Sequence, residues 1–371
     1  MDWSPQQEHA ISEISKWLNG INSPQLFRLF GYAGTGKTTI ISEIADQVRG
    51  PVYYMAYTGK AALIMRKKGC DDATTIHSAI YRAIEDNKTG KVTFDLNHDS
   101  SISEAALIII DEVSMVNEEI GEDLLGFGRK ILIIGDPFQL PPVKGEGYFT
   151  SDAPNVMLTE IHRQARDNPI IRLASDIREG KNFRNEKYDG CEIFDRNAIN
   201  KDDLNNVLLS VDQVLCGMNK TRTALNHRIR LVKGLANPDD LFEPKVGDKL
   251  ICIKNNRKKG LLNGGLWKVN DVHESNEYYM NVDSLDELGD IELDIKVPKE
   301  FFMGTEHLLD WKYRKGIDEF TFGECLTVHK SQGSQWNSIL VVDESAVFRE
   351  HANRHLYTAI TRASEKIYLA I

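Results

Sequence analysis

No apolar run in the chain approaches the roughly 18–20 residues needed to cross a bilayer, and Met1 to Ser12 lack the basic-then-apolar layout of a secretion signal. A cytoplasmic location is therefore expected. The five cysteines, Cys70, Cys191, Cys216, Cys252 and Cys325, are far apart and form no CxxC pair. That removes the usual zinc and dithiol motifs and leaves reduced core thiols. There is no repeat, no low-complexity tract and no stretch poor enough in apolar residues to stay unfolded. Positive charge is also short: the net formal charge is −10. By composition this opposes a nucleic-acid binder, because phosphate contact favours a basic surface. Local clusters soften the objection: Arg66-Lys67-Lys68, Arg222 to Lys233, Lys254 with Arg257-Lys258-Lys259, and Lys312-Arg314-Lys315. Each also reads as a solvated face.

What is present is apolar material for two or three cores: 371 residues, 41% of them hydrophobic. Short runs rich in β-branched residues alternate with helical stretches at Leu26–Phe30, Val52–Met55, Leu107–Ile110, Ile131–Ile134, Gln213–Cys216, Ile339–Val342 and Lys366–Ala370. This rhythm predicts an α/β fold of parallel sheets covered by helices on both faces. The runs fall into two groups, giving tandem domains over residues 1–165 and 166–371. Two segments interrupt them. Residues 79–104 turn polar around Asn87-Lys88-Thr89-Gly90 and Lys91-Val92-Thr93-Phe94, which predicts an inserted hairpin. Residues 265–318 mix aromatic and acidic residues with alternating stretches such as Trp267-Lys268-Val269, which predicts a small β-rich insert.

After the first apolar run comes Gly31-Tyr32-Ala33-Gly34-Thr35-Gly36-Lys37-Thr38, followed by the helical stretch Thr39–Val48. This is GxxxxGKT in its strand–loop–helix context. Glycines let backbone N–H groups converge on phosphates, Lys37 neutralises charge on them, and the Thr38 hydroxyl completes a Mg²⁺ shell. The run Leu107–Ile110 ends in Asp111-Glu112. Asp111 is placed to hold Mg²⁺ through water, and Glu112 to polarise the water that attacks the γ-phosphate. ATP and Mg²⁺ are thus the expected cofactors. The run Ile131–Ile134 leads into Gly135-Asp136-Pro137-Phe138-Gln139-Leu140-Pro141-Pro142. There Gln139 reads either as a neutral γ-phosphate sensor or as part of a Pro-rich loop leaving a sheet.

Together these segments resemble the helicases of superfamily one, type B, in particular the RecD-like and Dda-like DNA helicases, over nearly the whole chain. The resemblance implies two RecA-like P-loop domains, the first carrying the hairpin and the second an SH3-like insert. Ser4-Pro5-Gln6-Gln7 is similar to the motif whose glutamine reads adenine, which points to Gln7. Nucleotide contacts are further implied at Thr39 and Gly333. Ala56 to Ala62 and Thr74 to Ser78 resemble the strand-gripping motifs Ia and Ib, implicating Thr58, Lys60, His77 and Ser78. Leu158 to Arg163 is similar to the segment whose arginine, here Arg163, reaches the γ-phosphate. Thr327-Val328-His329-Lys330-Ser331-Gln332-Gly333-Ser334 resembles motif V, implicating Thr327, His329 and Lys330 in strand binding. Tyr357 to Ala363 resembles motif VI, whose arginine finger is Arg362. Phe94 occupies the place of a strand-separating tip.

Phosphoryl transfer itself calls for such an arginine, which contributes on the order of 10³–10⁵ in rate. The resemblance implies a monomeric ATP-driven helicase moving 5′ to 3′ on single-stranded DNA and acting at single-strand/duplex junctions. It also implies replication or recombination proteins as partners, and a nucleoid-associated or phage-encoded setting in a bacterial host. An RNA helicase of the same superfamily, a P-loop kinase or switch without a polymer track, and an ATP-binding scaffold without turnover remain as alternatives. Trp267, Trp311 and Trp336 read as base-stacking platforms or as core.

Overall fold

A computed structural model describes residues 3–85, 92–142, 147–161, 168–185, 188–256, 258–286, 291–310, 312–314 and 316–371. Arg163, the Asn87–Gly90 turn and Trp311 lie outside the described residues. The chain divides into two compact units, Met1–Arg178 and Glu179–Ile371. The boundary read from sequence at 165/166 falls ahead of the helix Pro169–Arg178, which packs with the first unit.

In the first unit the strands are β1 (Leu26–Gly31), β2 (Val52–Ala56), β3 (Thr74–Thr75), β4 (Tyr81–Glu85), β5 (Val92–Leu96), β6 (Leu107–Asp111), β7 (Ile131–Gly135) and β8 (Val156–Leu158). The helices are α1 (Pro5–Asn19), α2 (Lys37–Asp46), α3 (Gly59–Lys67), α4 (Ile76–Ile80), α5 (Glu118–Gly126) and α6 (Pro169–Arg178). Six strands form one parallel sheet in the order β3-β2-β6-β7-β1-β8. β6 and β7 are apolar at every core position because both faces are covered. Leu107, Ile109, Leu132 and Ile134 turn to one side, against Ile14 of α1, Ile40 of α2 and Met65 of α3. Ile108, Ile110, Ile131 and Ile133 turn to the other, against Ile76 and Ile80 of α4 and Ile120 and Leu124 of α5. β4 and β5 pair antiparallel as a separate ribbon within residues 79–104, with Phe94 opposite Ala83 and 59% exposed.

The second unit contains two sheets. Its strands are β9 (Cys191–Phe194), β10 (Gln213–Cys216), β11 (Lys249–Cys252), β12 (Leu266–Glu274), β13 (Tyr278–Ser284), β14 (Glu292–Val297), β15 (Phe320–Phe322), β16 (Cys325–Thr327), β17 (Trp336–Val342) and β18 (Ala363–Ala370). Its helices are α7 (Lys201–Ser210), α8 (Asn219–Val232), α9 (Glu300–Met303), α10 (Val328–Ser331) and α11 (Ala352–Ile360). A parallel sheet runs β16-β10-β17-β18-β9, and an antiparallel one β14-β13-β12-β11-β15. The antiparallel sheet reaches from Lys249 to Phe322, so the sequence bounds of 265–318 leave out its two short strands β11 and β15. Its inner face carries Trp267, Val269, Tyr278, Met280, Ile295, Phe320 and Phe322. Trp267 is 4% exposed and therefore core rather than a stacking platform. Among the described residues no helix is long and apolar enough to cross a membrane.

Candidate nucleotide and strand-binding sites

The phosphate loop joins β1 to α2. Gly36 is the N-cap of α2 and, like Gly34, has positive φ, 77° and 80° respectively, a conformation that residues with a Cβ resist. Gly31 is needed for closeness instead: a Cβ there would stand 2.6 Å from Thr35 Oγ1 and 2.9 Å from Leu158 Cβ. The loop is tied internally by Thr35 Oγ1, which donates to the Tyr32 carbonyl at 2.9 Å. Lys37 Nζ donates to the carbonyls of Gly31 (2.6 Å) and Tyr32 (2.9 Å), so the cation lies over the loop itself. Ala33 and Thr38 are half-buried, and Thr39 is exposed on the first turn of α2. Arg178, at the end of α6, places its guanidinium 3.7 Å from the centre of the Tyr32 ring.

The acidic pair sits at the end of β6. Burial pushes the Asp111 carboxyl up to about 6, and Glu112 pushes the same way. The Glu112 N–H, donating to Asp111 Oδ1 at 2.8 Å, and the charges of Lys37 and Lys68 pull against this. Glu112 has φ 54° and ψ 47°, a left-handed backbone that costs a non-glycine residue on the order of 1 kcal/mol and turns it away from the strand direction of Asp111. A half-buried carboxylate beside a second acid is a fitting partner for a divalent cation, whose charge relieves their repulsion, and its oxygen donors suit Mg²⁺. Gln139, after β7, is 8% exposed and its Oε1 has no hydrogen-bond partner among the described residues. A buried carbonyl oxygen without a partner is costly, and it remains able to accept from a donor such as a bound water.

Gln7 is 3% exposed. Its Nε2 donates to the Thr35 carbonyl at 3.2 Å, and its Oε1 accepts from the Ser4 N–H at 3.0 Å. The latter bond is half of a capping box that starts α1. Sequence reasoning passed over the neighbouring Gln6. Its Nε2 donates to Thr159 Oγ1 (3.0 Å), and its Oε1 accepts from the N–H groups of Thr159 (2.8 Å) and Glu160 (2.9 Å), tying α1 to the chain leaving β8.

The strand-binding candidates share one device. Thr58, Thr75 and Thr327 each cap a helix that follows a strand, accepting from the N–H of Ala61 (3.1 Å), Ser78 (3.1 Å) and Lys330 (3.4 Å). Ser78 Oγ accepts from the Thr75 hydroxyl at 2.8 Å. Lys60 is only 7% exposed, so most of its stem belongs to the core. His77 stands between Tyr57 and Tyr81, with ring centroids 6.1 and 5.6 Å away, and burial lowers its pKa. In the second unit His329 faces Phe348 at 5.6 Å and the buried His355 at 6.3 Å, and its pKa is likewise lowered by burial. Crowding by surrounding protein and the Arg222 charge push the Lys330 ammonium down to about 8. Arg222, on α8, thus belongs to the same cluster; the signal for it in the sequence was the basic stretch that it opens.

Gly333 has φ 73° and lies in the loop after α10. Arg362 is 6% exposed and not a solvated surface charge. Its Nε donates to the Thr358 carbonyl (3.1 Å), its Nη1 to the Ser334 carbonyl (3.3 Å) and its Nη2 to Thr361 Oγ1 (3.2 Å).

Sheet topology and phosphate loop together define a P-loop nucleotide-binding protein. Residues 3–192 match the AAA domain family, and residues 322–370 the UvrD-like helicase C-terminal domain. The ATP-dependent RecD2 DNA helicase of Deinococcus radiodurans is 28% identical over 401 aligned residues, covering all of this chain and 50% of its own length. The ATP-dependent DNA helicase Pif1 of Campylobacter jejuni is 25% identical over 409, covering 92% of this chain and 88% of its own. Bacteroides Pif1 bound to single-stranded DNA has the same fold, with a TM-score of 0.61 at 18% identity over 100% of this chain and 92% of that one. The chain belongs to the AAA domain family. It spans about half the length of the RecD2 relative and a smaller share of several others.

Proposed function

We propose that the protein is an ATP-driven DNA helicase that moves along single-stranded DNA, 5′ to 3′, and separates the duplex ahead of it. The observation that carries this reading is that one chain combines a phosphate loop with an acidic pair in its first unit and a buried Arg362 bonded to the motif V loop in its second. A kinase or switch needs the first set and has no use for the second. The similarity to RecD2 and Pif1 helicases supports DNA as the track.

Lys37 leaves the Gly31 and Tyr32 carbonyls for the β- and γ-phosphate oxygens, while loop N–H groups meet the remaining charge. Asp111 and Thr38 would hold Mg²⁺, which when bound neutralises charge on the phosphate oxygens. Glu112 takes the proton of the attacking water, Gln139 donates an amide N–H to the γ-phosphate, and Arg362 and Arg163 add positive charge to the transition state. Thr58, His77, Ser78, Thr327, His329 and Lys330 hold the strand, and Phe94 lies on the ribbon that meets the duplex. Because phosphate contacts dominate such binding, affinity falls steeply with salt despite the acidic total charge.

The test is ATP-dependent unwinding of matched duplexes bearing a 5′ or a 3′ single-stranded tail, in DNA and RNA versions, with Lys37→Ala as the inactive control. Unwinding of the 5′-tailed DNA alone is expected. ATP hydrolysis that single-stranded DNA fails to stimulate would instead favour a P-loop enzyme without a track.

A further inference from the structure

We propose that His355 positions His329 for the strand: its two ring nitrogens are idle in the free protein, and one of them donates to the His329 ring when His329 engages a phosphodiester. This rests on the reading of His329 as a strand contact, and it adds a residue outside the motif V and motif VI segments.

His355 lies on α11 and is 1% exposed. Neither Nδ1 nor Nε2 has a hydrogen-bond partner among the described residues. A neutral imidazole carries one donor and one acceptor, and burying both unmade is destabilising. A leucine would fill much the same space without that cost, so packing alone does not account for a histidine here.

The surroundings keep the ring neutral and leave its edge free. Burial, helped by His329 and opposed by Asp343, pushes its pKa down to about 4. Phe348 stacks on it with ring centroids 4.0 Å apart and planes 15° from parallel, which covers a face and not the edge where the nitrogens sit. The polar ring beside it is His329, at a centroid distance of 6.3 Å. An N–H···N bond of about 3 Å brings two imidazole centroids to roughly 5 Å, so a shift of His329 by about 1 Å closes the gap. Phe348 also faces His329, at 5.6 Å, and gathers both rings into one cluster.

The pairing has a chemical use. Burial lowers the pKa of His329 too, so at neutral pH its ring has a single N–H to aim. If one His329 nitrogen accepts from His355, the other carries the proton and becomes the donor that a phosphodiester oxygen needs. His355 recovers one hydrogen bond only when the strand is present. Strand binding thus gains from a group that destabilises the free chain.

The test compares wild type with His355→Leu, His355→Gln and His329→Ala, each in the full chain, by fluorescence anisotropy on a labelled dT oligomer without nucleotide and by thermal melting. His355→Leu is expected to melt no lower than wild type, since its unmade hydrogen bonds are gone, and yet to bind the oligomer about tenfold more weakly. His355→Gln, which keeps a donor, should bind within about threefold of wild type. Adding His355→Leu to His329→Ala should cost nothing further. Four results overturn the inference: wild-type affinity in His355→Leu, a loss of affinity that tracks a fall in melting temperature, a His355→Gln as weak as His355→Leu, or an undiminished loss in the His329→Ala background. If His355→Leu does not fold, imidazole nitrogen NMR of the wild-type chain decides. His355 should then settle into one fixed tautomer as the oligomer is added, and an unchanged His355 signal overturns the inference. A wild-type chain that binds no oligomer sinks the helicase reading as well, whereas wild-type binding that His355 does not influence sinks this inference alone.

Discussion

Arg362 Nη1 donates to the Ser334 carbonyl at 3.3 Å, so the arginine of the motif VI segment and the last residue of the motif V segment are one hydrogen-bonded piece. A change at either end is therefore felt at both. Arg362→Ala is expected to lower DNA-stimulated ATP turnover by about 10³–10⁵ while leaving nucleotide affinity nearly unchanged. Arg362→Lys should not rescue it, because a lysine has no planar fork to span Thr358, Ser334 and Thr361. Single-turnover hydrolysis with saturating DNA, beside nucleotide titration, provides the check.

Asp111 predicts a trade between stability and chemistry. A carboxyl whose folded pKa is raised to about 6 binds its proton more tightly folded than unfolded, so it lowers stability as pH rises from about 4 to 6 and holds that cost above. In chelator, Asp111→Asn should be more stable than wild type at pH 7.5 by on the order of 1–3 kcal/mol, with the difference shrinking toward pH 4. The same variant should not hydrolyse ATP. Thermal melts across pH decide it; a constant difference at all pH values would refute the assignment.

Arg230 and Asp248 are both fully buried and paired at 2.7 and 2.9 Å, and Arg230 also donates to the carbonyls of Leu241 and Glu243. Losing one partner strands the other in the core. Arg230→Met or Asp248→Leu alone should cost about 3–5 kcal/mol, and the double change markedly less than the sum. Urea unfolding of the four proteins closes the cycle.

Lys330 gives strand binding its own pH dependence. With its ammonium pushed down to about 8, it is charged at pH 7 and largely neutral at pH 9. Affinity for single-stranded DNA should therefore fall across that interval. Lys330→Gln should flatten the profile and reduce the salt slope by about 1. Fluorescence anisotropy against salt at both pH values measures this.

The parallel sheets were legible because β6 and β7 are unbroken apolar runs, and the phosphate loop because its spacing is tied to a strand and a helix. The strands β3, β8 and β16 were not, having two or three residues each and taking their identity from neighbours already in place. Gln7 was legible in two ways at once: Ser4-Pro5-Gln6-Gln7 is also the S-x-x-Q spacing of a capping box, and no sequence pattern says which use of the amide prevails. The partnership of Arg222 with Lys330 depends on α8 and α10 meeting in space, far apart in sequence.

A threonine serving as a cap uses only a lone pair, and its hydroxyl proton can still be donated. At Thr58 and Thr327 this leaves a neutral donor at the start of a helix, suited to a phosphodiester oxygen. Aspartate would end the helix equally well and repel that same oxygen, while valine would keep the shape and lose both services. The preference for a β-hydroxyl at these two corners lets fold stability and affinity for an anionic polymer rest on a single atom.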